Sequence, residues 1–566
     1  MAFAFQAVEM KRVLAAVLLL ALVATLGAAG AEFHVCSCDT GADVDCVTGS
    51  DGAAGSPAAP WLTFEKARLE FADLAAGDAI RFCRGGAWDI DAGTRWVNVN
   101  CEATAPCVVG DYSALWASGD EARPILTRTD GAHGFALEDG GDAEHEEGYL
   151  FENLDLRGTP TGWGFFLYND IDDVTLRNLS ITDFGIGVHL AGSNACNGGD
   201  PECDGRNERI VLEDSYIGRN EDQGWLGASS GSKILRNSFE ANGSTAVFDH
   251  NIYVSGSGEG QTQGVEVVGN TLYQSALDSD GVCRGVSLVV HGTHDDLLIA
   301  DNIVREDVGF AGQGCWGIAI DNGYSSAEGF TNVVIRGNTV LNVGNVAIGV
   351  GSCVDCTIEN NVIVHQQEFG VTAIAAPDRS PGDGDLEQDN ITVRNNSIWI
   401  DTASGATAIY VREFGDDHVV VSNAIHNTGA SSGFNCLDVD LPPSAYTEID
   451  HNLCWFPDAP NAEWANGFGS SPDALQAWRN ATGFGDESAM ADPGFADPAA
   501  FDLAAASEAV AMIDAGHPSL SSSTGFGGST RGADPDAGAW EWGAGELIFI
   551  DGFESGDTSV WDVTVP

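Results

Sequence analysis

Residues 267–272 of the chain are Val-Val-Gly-Asn-Thr-Leu, and residues 335–340 are Ile-Arg-Gly-Asn-Thr-Val. This phrase, an Asn between two short aliphatic runs, recurs through the middle of the chain. Its copies centre on Asn178, Asn237, Asn270, Asn302, Asn338, Asn361, Asn396 and Asn423, with outlying copies at Asn153 and Asn452. From Asn237 onward, successive copies lie 33, 32, 36, 23, 35, 27 and 29 residues apart. A period of this length indicates one coil of a solenoid.

The phrase also predicts the local geometry of each coil. Its aliphatic residues are spaced as in strands whose alternate side chains point inward. The Asn is expected at a tight bend, where its side chain bonds to the backbone and tolerates a left-handed conformation. Stacked over many coils, these side chains are expected to form an amide ladder.

Each Asn phrase is accompanied by a second predicted short strand in the same coil. Examples, with Ile and Val placed inside, are residues 185–189, 251–255, 285–289, 317–321, 347–351 and 408–412. No long amphipathic helix interrupts this region, which argues against a βαβ sheet, and a β-propeller needs longer and more regular blades. The predicted fold class is therefore all-β, a parallel β-helix of roughly ten coils between about residues 148 and 453.

Aligning the second strands predicts which residues share a column. This alignment places Asp249, Cys283 and Cys315 together, and it places His250 beside Arg284 and then Trp316. Cys283 and Cys315 are 32 residues apart, the same separation as Asn270 and Asn302. We therefore predict a disulfide between Cys283 and Cys315 that bridges adjacent coils.

An amphipathic helix is predicted at residues 63–76, with Thr63 as its N-cap and Gly77 as its stop. Its apolar residues are Phe64, Ala67, Phe71 and Leu74. A helix there would cover the open end of the solenoid, whose first coil otherwise exposes core and unpaired strand edge.

The N-terminus resembles an export signal. Lys11 and Arg12 precede an almost wholly apolar run at residues 13–26, and Ala29-Gly30-Ala31 supplies small residues for cleavage after Ala31. A transmembrane anchor is the alternative, but this run is shorter than the roughly 20 residues needed to span a bilayer. The chain is therefore expected to be secreted or on the cell surface, with no transmembrane segment after cleavage.

The 14 cysteines are an even number, as expected for disulfides in an exported protein. Groups that lie close in sequence are Cys36, Cys38 and Cys46; Cys101 and Cys107; Cys196 and Cys203; Cys353 and Cys356; and Cys436 and Cys454. The Cys353-Val-Asp-Cys356 spacing also resembles half of a zinc or redox site, but no second such pair accompanies it.

The chain has 566 residues, with 84 Asp and Glu against 24 Lys and Arg, and a formal net charge of −60. Such a protein is a poor binder of nucleic acid or of anionic membrane. It also repels polyuronates unless Ca²⁺, salt or a locally positive groove compensates. We expect a monomer whose partner is an extracellular polysaccharide.

Two stretches carry a family resemblance. Residues 55–66 (Gly-Ser-Pro-Ala-Ala-Pro-Trp-Leu-Thr-Phe-Glu-Lys) and 74–82 resemble the N-terminal segment of exported right-handed parallel β-helix proteins of the pectate-lyase-like superfamily. Residues 492–498 (Asp-Pro-Gly-Phe-Ala-Asp-Pro) and 536–541 resemble the closing module of bacterial surface β-helix proteins. Residues 547–561 resemble a recurring C-terminal tail of exported bacterial proteins, for which surface sorting and a final edge strand both remain open.

These features divide the sequence into five predicted parts. They are a signal peptide at 1–31, an N-terminal cap and first coils at 32–125, the parallel β-helix at 126–460, a closing module at 461–545 and a sorting or attachment tail at 546–566.

The resemblance implies chemistry on the outer face of a parallel sheet, because enzymes of this superfamily mostly cleave polysaccharides there. A uronan lyase needs a cation for the carboxylate, a base and an acid. The candidate catalytic residues are His250, Tyr253, Arg284 and Asp321, and the candidate substrate-binding residues are Trp316, His291 and Arg412. In the structural alternative His250 caps a bend, Tyr253 covers the sheet and Arg284 pairs with Asp249.

Two acid-rich loops are candidate Ca²⁺ sites, at Asp278 and Asp280 and at Asp383 and Asp385, since hard oxygen ligands at alternate positions suit this ion. Each loop is expected first to be a solvated turn, and Ca²⁺ binding is the second interpretation. The adjacent pairs at 172–173, 295–296 and 416–417 are expected to be solvated loop acids. No paired-acid hydrolase motif is present.

Two functions fit the sequence. The first is a glycan-processing enzyme, a polysaccharide lyase or hydrolase, and the second is a non-catalytic surface adhesin or glycan-binding solenoid. Fold alone does not separate them.

Overall fold

The computed structural model describes residues 30–138, 147–168, 170–192, 206–244, 248–256, 262–323, 327–377, 384–412, 414–440, 444–471, 473–508 and 510–543. The predicted signal sequence up to residue 29 and the C-terminal tail lie outside the described residues. The chain divides into two compact units, Met1–Leu298 (the first unit) and Ile299–Pro566 (the second unit).

In the first unit the chain winds through three parallel sheets, which we call sheets I, II and III. Sheet I contains Glu32–Val35, Ala79–Cys83, Cys107–Tyr112, Tyr149–Glu152, Val174–Arg177, Val211–Glu213, Lys233–Leu235, Thr262–Gln263 and Glu266–Val268. Sheet II contains Arg95–Trp96, Phe135–Glu138, Trp163–Tyr168, Ile186–Ala191, Trp225–Leu226, Ile252–Gly256 and Leu288–Asp295. Sheet III contains Ala87–Ile90, Ile125–Arg128, Asp155–Arg157, Ser180–Thr182, Tyr216–Gly218, Ser238–Asn242 and Thr271–Ser275.

The second unit repeats this arrangement, and we use the same three sheet names there. Its sheet I contains Gly329–Thr331, Val334–Arg336, Cys353–Glu359, Asp389–Arg394, His418–Val421 and Tyr446–Asp450. Sheet II contains Ile318–Ile320, Val346–Val350, Thr372–Pro377, Ala406–Arg412, Phe434–Val439 and Ala462–Ala465. Sheet III contains Ile303–Arg305, Thr339–Leu341, Val362–His365, Ser397–Ile400, Ala424–Asn427 and Leu453–Trp455. The strand Leu298–Ala300 contains the boundary between the units.

Parallel pairing stacks equivalent residues one coil above another. The inward column of sheet II in the first unit consists of Phe165, Val188, Trp225, Ile252 and Leu288, all of them buried. Burial of each such side chain contributes about 1.5–3 kcal/mol. The predicted fold class, an all-β right-handed parallel β-helix with an N-terminal capping helix, is confirmed.

The amide ladder is present in both units. In the first unit the Asn237 side chain donates to Asn270 Oδ1 at 3.0 Å. In the second unit the chain of side-chain donors and acceptors runs through Asn302, Asn338, Asn361, Asn396, Asn423 and Asn452, with Nδ2 to Oδ1 distances of 2.9–3.0 Å. Each Oδ1 also accepts a backbone N–H from the preceding Asn, so the buried bend leaves few orphan donors.

Two details of the ladder differ from prediction. The left-handed residue is the one before the ladder Asn, such as Arg236 with φ 54° or Asp301 with φ 56°. Asn178 is not in the ladder, because Leu179 occupies that column and donates its N–H to Ser215 Oγ at 3.0 Å. Asn178 instead donates its amide to Asn153 Oδ1 on the partly exposed side of the bend, at 2.5 Å.

The predicted N-terminal helix is present but shorter, with helix α1 at Phe64–Phe71. Thr63 is its N-cap, since Thr63 Oγ1 accepts the N–H of Lys66 at 3.0 Å. The helix ends at Phe71, and Gly77, with φ 83°, lies in a later turn. Phe64 packs on Trp96 and Phe135, so α1 covers apolar side chains of the first coils.

The C-terminal part of the second unit packs along the side of its β-helix. Helix α2 is Ala474–Thr482, and the strands Phe495–Asp497 and Asp502–Ala505 form an antiparallel pair flanking the 3-10 turn Pro498–Ala500; a second such turn is Phe526–Gly528. Leu503 and Met512 are buried against Val364 and Trp399 on the outer face of sheet III. This segment therefore covers a sheet face in the second unit.

Several disulfides lie within the described residues. They include Cys36–Cys83, Cys38–Cys46, Cys101–Cys107, Cys353–Cys356 and Cys436–Cys454. Cys353 and Cys356 are thus bonded to each other. Within the described part of the chain, we find no helix with the length and apolar character needed to cross a membrane.

Candidate functional site

The outer side of sheet II in the first unit carries a cluster of stacked rings, which we call the aromatic face: His133, Trp163, Phe166, Tyr168 and His189. The imidazole of His133 stacks on the indole of Trp163, with ring centroids 4.5 Å apart and planes 19° apart. Trp163 also contacts Phe166 at 4.5 Å and His189 at 4.6 Å. All five side chains are half-buried, so the cluster presents ring surface to solvent.

Strand alternation explains why Phe166 and Tyr168 of the aromatic face point outward. In the strand Trp163–Tyr168, Phe165 and Leu167 are buried in the core. The intervening Phe166 and the terminal Tyr168 therefore face away from the core. Phe166 pairs in register with His189, which places large side chains side by side on adjacent coils.

The two imidazoles of the aromatic face are held in the neutral form. Burial lowers the pKa of His189 to about 4, and the charge of His133 adds to this effect. Burial also lowers the pKa of His133, with a further contribution from the Arg128 charge. The backbone N–H of Trp163 donates to His133 Nδ1 at 3.2 Å, which leaves the proton of the neutral ring on Nε2.

The outward column continues along sheet II to the predicted catalytic group. Leu226 pairs with His189 and then with Tyr253. The phenol ring of Tyr253 makes edge contacts with the His250 ring at 5.3 Å and with the His291 ring at 5.5 Å. The structure therefore brings together three of the residues named from sequence.

His250 has the environment of a structural residue. Its side chain is buried, and its Nδ1 lies 2.7 Å from the carbonyl oxygen of Val286. Burial lowers the pKa of His250 to about 4, so the ring is neutral at pH 7. Catalysis by His250 stays a prediction, and Tyr253 and His291, which are half-buried, have more contact with solvent.

The predicted alignment of this strand with the next is wrong by two residues. Ile252 pairs with Leu288, and Tyr253 pairs with Val289. His250 therefore lies opposite Val286 and not Arg284, and Asp249 does not share a column with Cys283. The strand begins at Leu288, because residues 281–287 form a longer connection than the prediction assumed.

Arg284 pairs with a different acid from the one considered. Its Nε donates to Asp278 Oδ2 at 2.7 Å. The other carboxylate oxygen of Asp278 accepts the backbone N–H groups of Asp280 and Val282. Both oxygens of the proposed Ca²⁺ ligand Asp278 thus have protein donors, and calcium binding at this loop stays a prediction.

The remaining predicted residues lie in the second unit. Asp321 is half-buried after the strand Ile318–Ile320, and Trp316 is half-buried before it. Arg412 forms ion pairs with Asp438 at 2.8 Å and Asp440 at 3.2 Å.

Two predicted pairs remain, the acids Asp383 and Asp385 and the cysteines Cys283 and Cys315. Asp385 Oδ1 accepts the backbone N–H of Glu328 at 2.6 Å, whereas Asp383 lies outside the described residues. Cys283 and Cys315 are both buried and oxidised, and their mutual pairing stays a prediction.

One acid expected in solvent is buried. Asp172 follows the strand Trp163–Tyr168, and burial raises its pKa to about 7 against the opposing charge of Arg209. Its Oδ1 accepts the N–H of Glu208 at 2.6 Å, and its Oδ2 accepts from Arg209 at 3.0 Å. The prediction of a solvated loop acid is therefore wrong for Asp172.

A separate cleft of about 560 Å³ lies near the N-terminus of the first unit. Residues 47–50, 57–60 and 114–116 line it, and Trp116 is its half-buried indole. Trp116 therefore provides a comparison for Trp163, as an indole of similar exposure in the same unit.

The sequence reasoning missed the aromatic face. The signal was the alternation in Trp-Gly-Phe-Phe-Leu-Tyr at 163–168, which places aromatic residues on both sides of one strand. Residues 163–168 lack the Asn phrase that anchored the repeat alignment. The outward positions of Phe166 and Tyr168 could therefore be predicted only from the alternation within this strand.

No protein-family model matches the chain, and no curated protein matches it significantly. Among solved structures it is similar to a pectate lyase at 15% identity and a TM-score of 0.37, covering 90% of this chain and 96% of that one. It is also similar to a GH136 lacto-N-biosidase from Eubacterium ramulus at 14% identity and a TM-score of 0.45, covering 69% and 68%.

A third similar structure is the mannuronan C-5 epimerase A-module from Azotobacter vinelandii, at 13% identity and a TM-score of 0.34, covering 74% and 92%. All three TM-scores are below 0.5, so the β-helix is established by the strand pairing of the chain itself.

Proposed function

We propose that this protein is an exported glycan-processing β-helix protein that binds an extracellular polysaccharide on the aromatic face of the first unit. The observation that carries the proposal is the ring cluster of Trp163, His133 and Phe166 on the outside of a parallel sheet. A sugar ring has an apolar C–H side that packs on an aromatic face, and its hydroxyl groups bond to imidazole nitrogens at the edge. The disulfides fit an oxidising, extracellular location.

The outward column also suits a long ligand. From Phe166 through His189 and Leu226 to Tyr253 there are three strand-to-strand steps. At about 4.8 Å each, these steps span about 14 Å. A glycan chain lying across the strands would contact both the aromatic face and the pair Tyr253 and His291, whose phenol and imidazole are suitable acid and base groups.

The test is a polysaccharide panel in which binding and product release are measured separately. We expect Trp163→Ala to weaken glycan binding at least tenfold, and Trp116→Ala, the matched indole, to change it less than twofold. Tyr253→Phe should retain binding and lose product formation. Unchanged binding by Trp163→Ala would contradict the proposed site.

The second candidate function, a non-catalytic glycan-binding solenoid, is favoured by the buried, backbone-bonded state of His250. The same panel separates the two functions. Binding that depends on Trp163 without any released product or new unsaturated end would support the non-catalytic function.

A further inference from the structure

We infer that the glycan recognised by the aromatic face is neutral, carrying no uronate carboxylates or sulfate esters. This inference rests on the proposed function and names the substrate class of the same surface. It is carried by the state of the cationic side chains in the first unit, because a polyanionic sugar needs a cation that is available to its charged groups.

Most of the described cations of the first unit are engaged with carboxylates, and Arg123 donates to the amide oxygen of Asn178. Thirteen described Lys and Arg side chains of this unit have an Asp or Glu oxygen within 3.0 Å. They are Lys66, Arg68, Arg81, Arg84, Arg95, Arg128, Arg157, Arg177, Arg209, Arg219, Lys233, Arg236 and Arg284. A uronate would have to displace one of these acids, and the displaced carboxylate would then repel the ligand.

The cation best placed for the aromatic face illustrates this point. Arg95 pairs in register with Ala136, which pairs with Phe166, so Arg95 lies in the same outward column. Its Nε is 2.6 Å from Glu138 Oε2, and Glu138 pairs in register with Tyr168 of the aromatic face. Any ligand carboxylate that reaches Arg95 therefore also meets Glu138.

Arg128 is unavailable for a different reason. It is 1% exposed, and its guanidinium donates to Asp130 and to the carbonyl of Ala92. The imidazoles of His133 and His189 carry no charge at neutral pH, because burial lowers the pKa of both. The net charge of −60 adds a long-range repulsion that acts on any polyanion. Stacking on the rings needs no cation, so a neutral glycan meets none of these costs.

The experiment compares pairs of polymers, of which one member carries carboxylates and the other does not. The probes are polygalacturonate and alginate, each beside its carboxyl-reduced form, and glucuronoxylan beside unsubstituted xylan. Binding of the mature chain is measured at 50 mM and 500 mM NaCl, with Ca²⁺ or with EDTA. We expect at least one neutral polymer to bind tenfold or more tightly than its charged partner at low salt, with less than a twofold change on adding salt.

A variant provides an independent readout. Glu138→Gln removes the acid beside Arg95 and should raise affinity for the charged member of a pair at least threefold, with the neutral member changing less than twofold. Folding of the variant is checked by the midpoint of its thermal unfolding.

The possible results separate the two proposals. A charged polymer that binds more tightly than its neutral partner, in a manner abolished by Trp163→Ala, overturns neutral-glycan recognition and leaves the glycan-binding face in place. Binding that is insensitive to Trp163→Ala, or no binding to any polymer, overturns the proposed function and this inference with it.

Discussion

The outer columns of sheet II differ sharply between the two units, although the strands pair in the same way. In the first unit the column contains Ala136, Phe166, His189, Leu226, Tyr253 and Val289. In the second unit it contains Ala319, Gly349, Ala375, Tyr410 and Asp438. Four consecutive positions, from Phe166 to Tyr253, are thus large in the first unit, and three consecutive positions, from Ala319 to Ala375, are very small in the second.

This difference decides what the surface can bind. In the first unit Phe166, His189 and Tyr253 stand out from the sheet as half-buried rings. In the second unit Ala319 and Ala375 are buried, and a Cβ on Gly349 would lie 3.9 Å from the ring of Trp316. Trp316 therefore lies against its own sheet, where small residues make room for it. The backbone geometry of sheet II is therefore the same in both units. The size of its outward side chains decides whether its outer face is open to a ligand or covered by the protein itself.

The inward columns do not differ in this way. Both units have aliphatic or aromatic residues inside sheet II and a buried Asn ladder at the bend that precedes sheet III. Stability is therefore expected to depend on the inward and ladder positions in either unit, and binding on the outward positions of the first.

The largest effect is expected for the ladder. Asn396→Ala removes the acceptor of two N–H groups of Asn361 and the donor to the carbonyl of Ile358. Leaving these buried groups unpaired should lower the free energy of unfolding by about 3–5 kcal/mol. This loss in the free energy of unfolding is measured by denaturant unfolding. The control is Asn178→Ala, which lies outside the ladder and should cost about 1 kcal/mol. Equal losses for both variants would contradict the distinction.

The next effect tests the small outer column of the second unit. Gly349→Phe places a ring where Val346 and Trp316 already approach, so we expect a loss of about 1–3 kcal/mol and an altered Trp fluorescence spectrum. Gly349→Ala is the matched control and should cost less, because its Cβ meets Val346 Cγ1 at 3.3 Å and fits after a small shift. A Phe variant as stable as the Ala variant would show that the face is not covered.

A third prediction concerns pH and the buried histidine beside the first unit's sheet II. The folded pKa of His250 is about 4, below the unfolded value of about 6.5, so the unfolded chain binds the proton more tightly. Its contribution to stability is complete above pH 6.5 and is lost as the pH falls toward 4, about 2 kcal/mol of it between pH 7.5 and 5.

The measurement is urea unfolding of the wild type and of His250→Gln at both pH values. The Gln side chain can still donate to the Val286 carbonyl but does not titrate. The variant should therefore lose about 2 kcal/mol less between pH 7.5 and 5. His365→Gln tests the same behaviour in the second unit, where burial also lowers the histidine pKa. If the free energy of unfolding of all three proteins changed equally with pH, the lowered pKa values of His250 and His365 would be refuted.

The smallest effect is expected for the exposed ion pairs. Arg284→Gln in the first unit and Arg412→Gln in the second each remove a guanidinium that pairs with nearby acids. Because these pairs are partly exposed, each change should cost less than about 1 kcal/mol and should diminish at high salt. Loss of glycan turnover in Arg284→Gln, with stability unchanged, would instead support the catalytic role predicted from sequence.

Sequence reasoning succeeded where the information is local. The Asn spacing predicted the coils, and the ladder within each unit follows it, whereas the copy at Asn178 lies outside the ladder. Thr63 was correctly identified as a helix cap because capping depends on residues within one turn. The predicted end of the helix was wrong, since the helix ends at Phe71 and Leu74 is buried outside it.

The site was harder to predict because it depends on how strands pair across coils. His250, Tyr253 and His291 were placed near one another, but the partner of His250 was wrong by two residues. The burial of Asp172 could not be predicted, because it comes from other coils and leaves no trace in the neighbouring sequence. Arg284 forms its ion pair with Asp278, six residues away, and not with the predicted partner Asp249.

The sequence by itself determined the repeating coil, the residues that face inward and the buried Asn column, because each follows from a pattern a few residues long. The tertiary structure alone decided which outward residues meet. The reason is that connections of different length join the coils, and a two-residue change in one connection moves every side chain on the next strand to a new neighbour.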